Sequence, residues 1–149
     1  MNERQWDITD KSDLERVTGD ILSELAKEQR TSSAVVLGLH GDLGAGKTTF
    51  VQMLADQLGV QESVTSPTFV IMKKYQTKDQ RFSTLVHIDA YRLESAEELE
   101  VLDFSSELSD EKNIICIEWA EKVTDLLPPL TKNYRFVIDA DNRRTLILE

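Results

Sequence analysis

Apolar positions along the chain recur with two periods. Leu14, Val17, Ile21, Leu22 and Leu25 keep the three-and-four spacing of a single buried helix face, predicting a helix that runs to about Gln29. Asp10 or Ser12 is its candidate cap. Ahead of it, residues 6–9 alternate and predict a short edge strand. Residues 34–39 form an apolar run rich in Val and Leu, polar on neither face, as in a strand buried within a parallel sheet. Residues 48–58 predict a helix, with Gly59 as the residue that ends it. Residues 68–75 and 84–90 predict two strands joined by a polar turn over 76–83. Residues 96–102 predict a helix, and 114–117 are a second continuous apolar run. Residues 121–127 predict a short helix stopped by Pro128 and Pro129. Residues 134–139 and 145–148 predict a closing hairpin. Strands alternating with helices imply an α/β fold with a mixed, mainly parallel central sheet. No repeat or linker divides the 149 residues, so one domain is expected.

The junction between the first buried strand and the second helix carries the strongest chemistry. Gly41-Asp42-Leu43-Gly44-Ala45-Gly46-Lys47-Thr48 fits G-x-x-x-x-G-K-[ST]. The additional Gly44 lets backbone pass close to phosphate with no Cβ in the way. Loop amides then point inward at phosphate oxygens, and the helix start adds its partial positive charge. Lys47 is placed to reach the β- and γ-phosphates of a nucleotide, and the Thr48 hydroxyl to ligate Mg²⁺. Such a site needs a carboxylate at the end of a buried strand. Glu118 closes one apolar run, and Asp89 closes another that His87 interrupts. The spacing favours Glu118 for the metal and Asp89 for orienting or deprotonating water. Ser66 and Thr68 flank Pro67 in a loop suited to sensing a γ-phosphate, although a plain proline turn explains the same residues.

Other residues carry weaker signals. His87 reads as a core histidine bonded to backbone, with catalysis as the alternative. Trp119 suits stacking on a base, packing a partner or simple half-burial. Cys116 reads as a small core residue. As the sole cysteine, it excludes an intramolecular disulfide and a Cys-rich zinc site. Arg143 and Arg144 suit phosphate or, more readily, the many acids. From Glu94 to Glu111 there are eight acids and no base, a solvated face or a docking face for a basic partner. The net charge of −10 argues against independent nucleic-acid binding and against anionic membrane surfaces. With no signal-type or membrane-spanning run, a cytoplasmic protein is expected.

Four blocks in order resemble the TsaE (YjeE) family of tRNA threonylcarbamoyladenosine biosynthesis ATPases. They are the phosphate loop extended through Thr49 and Phe50, then Ser66-Pro67-Thr68-Phe69, then His87-Ile88-Asp89-Ala90-Tyr91-Arg92-Leu93, and finally Glu118-Trp119. The resemblance spans nearly the whole chain and implies a small P-loop α/β sandwich. It implies Mg²⁺-dependent ATP hydrolysis, weak in the isolated protein, with Lys47 and Thr48 as the phosphate-loop pair. Glu118 is implied near the metal, and Asp89 as the essential acid of the third block. The implied partners are the two subunits of the threonylcarbamoyl transferase, TsaB and TsaD, with tRNA engaged only through them. Nucleotide contacts are also implied from Thr9 or Asp10 and from Arg143 or Arg144. A small-molecule kinase and a non-hydrolysing ATP-dependent switch are the competing functions.

Overall fold

The computed structural model describes residues 4–28 and 32–149. In chain order the elements are β1 (Arg4–Ile8), α1 (Lys11–Lys27), β2 (Val35–His40), α2 (Lys47–Gln57), β3 (Met72–Gln76), β4 (Thr84–Asp89), α3 (Glu97–Val101), α4 (Phe104–Leu108), β5 (Asn113–Glu118), a 3-10 helix (Ala120–Leu126), β6 (Lys132–Ile138) and β7 (Arg144–Leu148). The strands form a single mixed sheet in the order β1-β7-β6-β2-β5-β4-β3. Its centre, β6-β2-β5-β4, is parallel. The outer strands pair antiparallel, β1 on β7, β7 on β6 and β3 on β4.

Side-chain alternation sorts the central strands onto two faces. Leu37, Leu39, Leu85, Ile114 and Cys116 pack against Val17, Ile21 and Leu25 of α1 and Phe50, Val51 and Leu54 of α2. Val36, Val86, Ile88, Ile115 and Ile117 pack on the other face against Leu99, Phe104, Ala120 and Val123. Each such side chain removed from water contributes about 1.5–3 kcal/mol, which fixes the strand register from both sides. The eight acids of 94–111 lie over this second face, and seven of them are exposed while Leu99 and Phe104 point inward. Gly38 allows a close approach at the centre of the sheet. A Cβ there would sit 2.5 Å from Asn133 Oδ1 and 3.2 Å from the Ala120 Cβ.

Several expectations are corrected. The strand over 68–75 starts only at Met72, because residues 68–70 form a turn. The Ile71 amide donates to the Pro67 carbonyl at 2.6 Å, and Ile71 itself has φ +70°, so the extended run cannot begin earlier. Asp10, not Ser12, caps α1: its carboxylate accepts from the Asp13 amide at 3.0 Å, while the Ser12 hydroxyl donates to Asp10. Helix α1 ends at Lys27, and Gln29 lies outside the described residues. The expected helix over 121–127 is a 3-10 helix kinked at Val123. The helix over 96–102 is one turn of α3, and a left-handed Asp103 separates it from α4, which the sequence pattern does not predict. Among the described residues no helix is long and apolar enough to cross a membrane.

Candidate functional site

The parallel strands all deliver their C-terminal ends to one edge, where open α/β sheets place ligands. There β2 runs into the phosphate loop, β4 ends at Asp89 and β5 ends at Glu118. Asp89 and Glu118 are register partners on adjacent strands. Both are buried, and they face α2 because His87, Asp89, Cys116 and Glu118 share the sheet face opposite Ile88 and Ile117.

The loop itself is set by three left-handed glycines. Gly41 has φ +144°, and a Cβ there would meet the Phe136 carbonyl at 2.7 Å. Gly44 (φ +82°) and Gly46 (φ +110°) differ, since a Cβ at either would project into open space. Their conformation, not crowding, requires glycine, and the open space leaves room for an anion beside the loop. Between them Ala45 is buried and donates its amide to the Asp42 carbonyl at 3.0 Å, while Leu43 is 80% exposed at the rim. The amides of Lys47, Thr48 and Thr49 open α2, where helix geometry leaves them without carbonyl partners.

The Lys47 ammonium donates to the carbonyls of Gly41 (2.5 Å) and Asp42 (3.0 Å) and lies 4.3 Å from the centre of the Trp119 ring. Burial draws it below its ordinary range, opposed by the charges of Glu118, Glu121, Asp89 and Asp42. The Thr48 hydroxyl donates to Glu118, with Oε1 at 2.8 Å and Oε2 at 3.0 Å. That leaves the hydroxyl's lone pairs beside a carboxylate, the hard oxygen donors Mg²⁺ takes. Among the described residues no group of three or more His, Cys, Asp and Glu gathers as a metal site. A cation on Thr48 and Glu118 would therefore complete its shell with nucleotide oxygens and water.

Asp89 is held from the other side. Its Oδ2 accepts from the hydroxyls of Thr68 (2.9 Å) and Ser66 (3.4 Å), which bond each other at 2.7 Å. Its Oδ1 accepts from the Tyr91 amide at 2.9 Å. Thr68, Asp89, Glu118, Lys47 and Thr48 thus line one cleft of about 270 Å³, together with Gly44, Gly46, Thr49, Trp119 and Arg144. A second cleft of about 730 Å³ adjoins it through Thr49 and Arg144 and is lined by Thr9, Asp10 and Arg143. Thr9 and Asp10 also have structural work: the Thr9 amide and hydroxyl both donate to Asp13. The preference for Arg143 and Arg144 as partners of acids is corrected. Among the described residues neither guanidinium makes an ion pair; both are exposed beside the hairpin turn.

The family model described as "Threonylcarbamoyl adenosine biosynthesis protein TsaE" matches residues 9–146. The chain belongs to the TsaE family. The TsaE protein of Streptomyces coelicolor is 46% identical over 104 residues, which cover 68% of this chain and 67% of that protein. The TsaE protein of Treponema pallidum is 38% identical over 86% of this chain and 87% of its own length. The crystal structure of YdiB from Bacillus subtilis matches with a TM-score of 0.71 at 25% identity, covering 99% of this chain and 84% of that one.

Within this TsaE-family site, two contacts were not legible from spacing. His87 does not bond backbone as expected: its Nε2 lies 2.5 Å from Glu118 Oε2. Trp119, left-handed at φ +58°, packs at 5.1 Å on Tyr91 and under the Lys47 ammonium. A sequence signal existed for the residues of the first contact but not for their pairing, since His87 interrupts one apolar run and Glu118 closes another. None existed for the second, which depends on the backbone turning at Trp119. Cys116 is the core residue expected, and burial pushes its thiol well above the usual range.

Proposed function

We propose that this protein binds ATP with Mg²⁺ in the 270 Å³ cleft and hydrolyses it, in concert with the TsaB–TsaD threonylcarbamoyl transferase of tRNA threonylcarbamoyladenosine biosynthesis. The observation that carries the reading is the Thr48–Glu118 hydrogen bond beneath a glycine cradle, with Lys47 beside it. Mg²⁺ held by Thr48 and Glu118 would supply positive charge against the charge that develops on the phosphates.

The protein's own groups do the rest by positioning and electrostatics. Gly44, Gly46 and the opening amides of α2 hold phosphate oxygens. Lys47 exchanges its two loop carbonyls for phosphate oxygens, strengthened by the partial burial that makes its charge costly to leave unpaired. Thr48 and Glu118 would hold the metal. Asp89 has three of its acceptor positions engaged and keeps capacity for one water, which it orients for attack. Thr68 fixes that carboxylate and reports on the γ-phosphate. Thr9, Asp10, Arg143 and Arg144 border the adjoining cleft that receives the rest of the nucleotide. With a net charge of −10, the protein meets tRNA only through its partners.

Phosphate release from ATP, measured for the purified protein alone and with TsaB–TsaD, tests the reading. Slow release alone and stimulation by the pair are expected. Release that the pair does not change contradicts the coupling, and a phosphorylated small-molecule product contradicts the hydrolase assignment.

A further inference from the structure

Asp89 and Glu118 are each assigned a task above, but the fully buried His87 between them is not. His87 lies on β4 two residues before Asp89, and its register partner on β5 is Cys116. Glu118 is therefore its diagonal neighbour on the same face, within reach of a long side chain. The 2.5 Å contact between His87 Nε2 and Glu118 Oε2 is buried from both sides. The other ring nitrogen, Nδ1, is buried with no hydrogen-bond partner among the described residues.

These two facts select a tautomer. A neutral imidazole has one N–H donor and one bare acceptor nitrogen. A proton on Nδ1 would bury an unmade donor and turn the Nε2 lone pair toward carboxylate lone pairs. A proton on Nε2 makes a charge-assisted bond to Glu118 and leaves only a bare nitrogen unpartnered, the smaller cost. We propose that His87 is a positioning residue for Glu118, donating Nε2–H to Oε2 and so fixing the face that the carboxylate presents to Thr48 and to Mg²⁺. The proposal rests on the reading of Glu118 as a metal-holding group. The terminal torsion of a glutamate is broad, so without a second donor the carboxylate has only Thr48 to orient it. Outer-shell donors of this kind commonly change metal affinity by about 10–100-fold.

The test has two readouts on the full chain. In ¹⁵N-histidine spectra of the protein without nucleotide, His87 is expected to carry a proton on Nε2, the nitrogen facing Glu118, and none on Nδ1. The His87→Phe variant identifies its signal, since only two histidines are present. An Nδ1–H tautomer overturns the proposal. The second readout is the Mg²⁺ concentration needed to tighten binding of a fluorescent ATP analogue, with melting curves to verify folding. His87→Phe is expected to raise it by about 10–100-fold while leaving binding in EDTA unchanged. His87→Gln, whose amide nitrogen lies the same number of bonds from Cβ, is expected to recover most of the loss. A Phe variant equal to wild type overturns the proposal alone, as do Gln and Phe variants equally impaired. A wild-type protein that binds no nucleotide overturns the functional reading and takes this proposal with it.

Discussion

The two acids at the strand ends sit side by side in the sheet yet are held in opposite ways. Glu118 ends a strand buried along its whole length and bonds to the first turn of a helix and to a buried histidine. Asp89 ends a strand buried after its first residue, but both hydroxyls that hold its Oδ2 come from the 65–71 loop. That loop carries Phe69 at 83% exposure and a β-branched Ile71 at φ +70°. Its backbone bonds are few: the Ile71 amide donates to the Pro67 carbonyl within the loop, and the Ile71 carbonyl accepts from the Asp89 amide of β4. A left-handed β-branched residue costs about 1–3 kcal/mol and persists only where its surroundings over-determine it. In the proposed reading the Glu118 side, on rigid elements, suits holding a cation in fixed geometry, and the Asp89 side, held by loop hydroxyls, suits orienting water.

The largest perturbation of this contrast is Lys47→Ala, which strips the rigid side of its only loop cation. Phosphate release is expected to fall by about 10³-fold with the melting temperature little changed. Normal turnover in that variant would move the site elsewhere. Thr68→Val is a milder cut to the other side, removing one hydrogen bond to a charged acceptor. Turnover is expected to fall about tenfold while Mg²⁺-dependent nucleotide affinity is kept. A fall in affinity instead would mean that the loop shapes the metal site as well. Gly41→Ala tests whether the rigid side owes its frame to backbone geometry. The strained φ and the 2.7 Å approach to Phe136 are expected to cost about 2 kcal/mol, read as a lower melting temperature.

The smallest effect concerns neither acid. The Thr9 hydroxyl and amide hold the Asp13 carboxyl down at about 2, from an ordinary 3.8. A depressed carboxyl stabilises the fold fully above its unfolded value, and the gain is lost as pH falls from about 4 through about 2. Asp10 is lowered in the same direction by the Asp13 amide. Thr9→Val is expected to flatten part of the loss of stability across that acid window in a thermal scan. An unchanged acid limb would remove Thr9 as the cause.

What the sequence revealed follows the same division. The apolar runs ending in Asp89 and Glu118, and the glycines spaced before Lys47, are local patterns that survive tertiary packing. Both acids and the loop were therefore legible. The 65–71 loop was legible only around Pro67; its second half was not, because Thr68, Phe69, Val70 and Ile71 have the composition of a strand, and the turn that Pro67 starts overrides it. Likewise α4 is five residues long, too short to express a helical period, and depends on a left-handed Asp103. His87 is visible as an interruption of an apolar run, but a buried histidine alone suggests a backbone partner rather than Glu118. The diagonal pairing with Glu118 requires knowing that β4 and β5 are neighbours, and 23 residues separate the end of β4 from the start of β5.

The most direct measurement compares Glu118→Ala with Asp89→Asn in one Mg²⁺ titration of ATP binding, followed by phosphate release at saturation. Glu118→Ala is expected to lose the Mg²⁺-dependent gain in affinity together with turnover. Asp89→Asn is expected to keep the gain and lose about 10²-fold in turnover. The reverse pattern, or the same loss in both, would contradict the division of labour between the two strand ends.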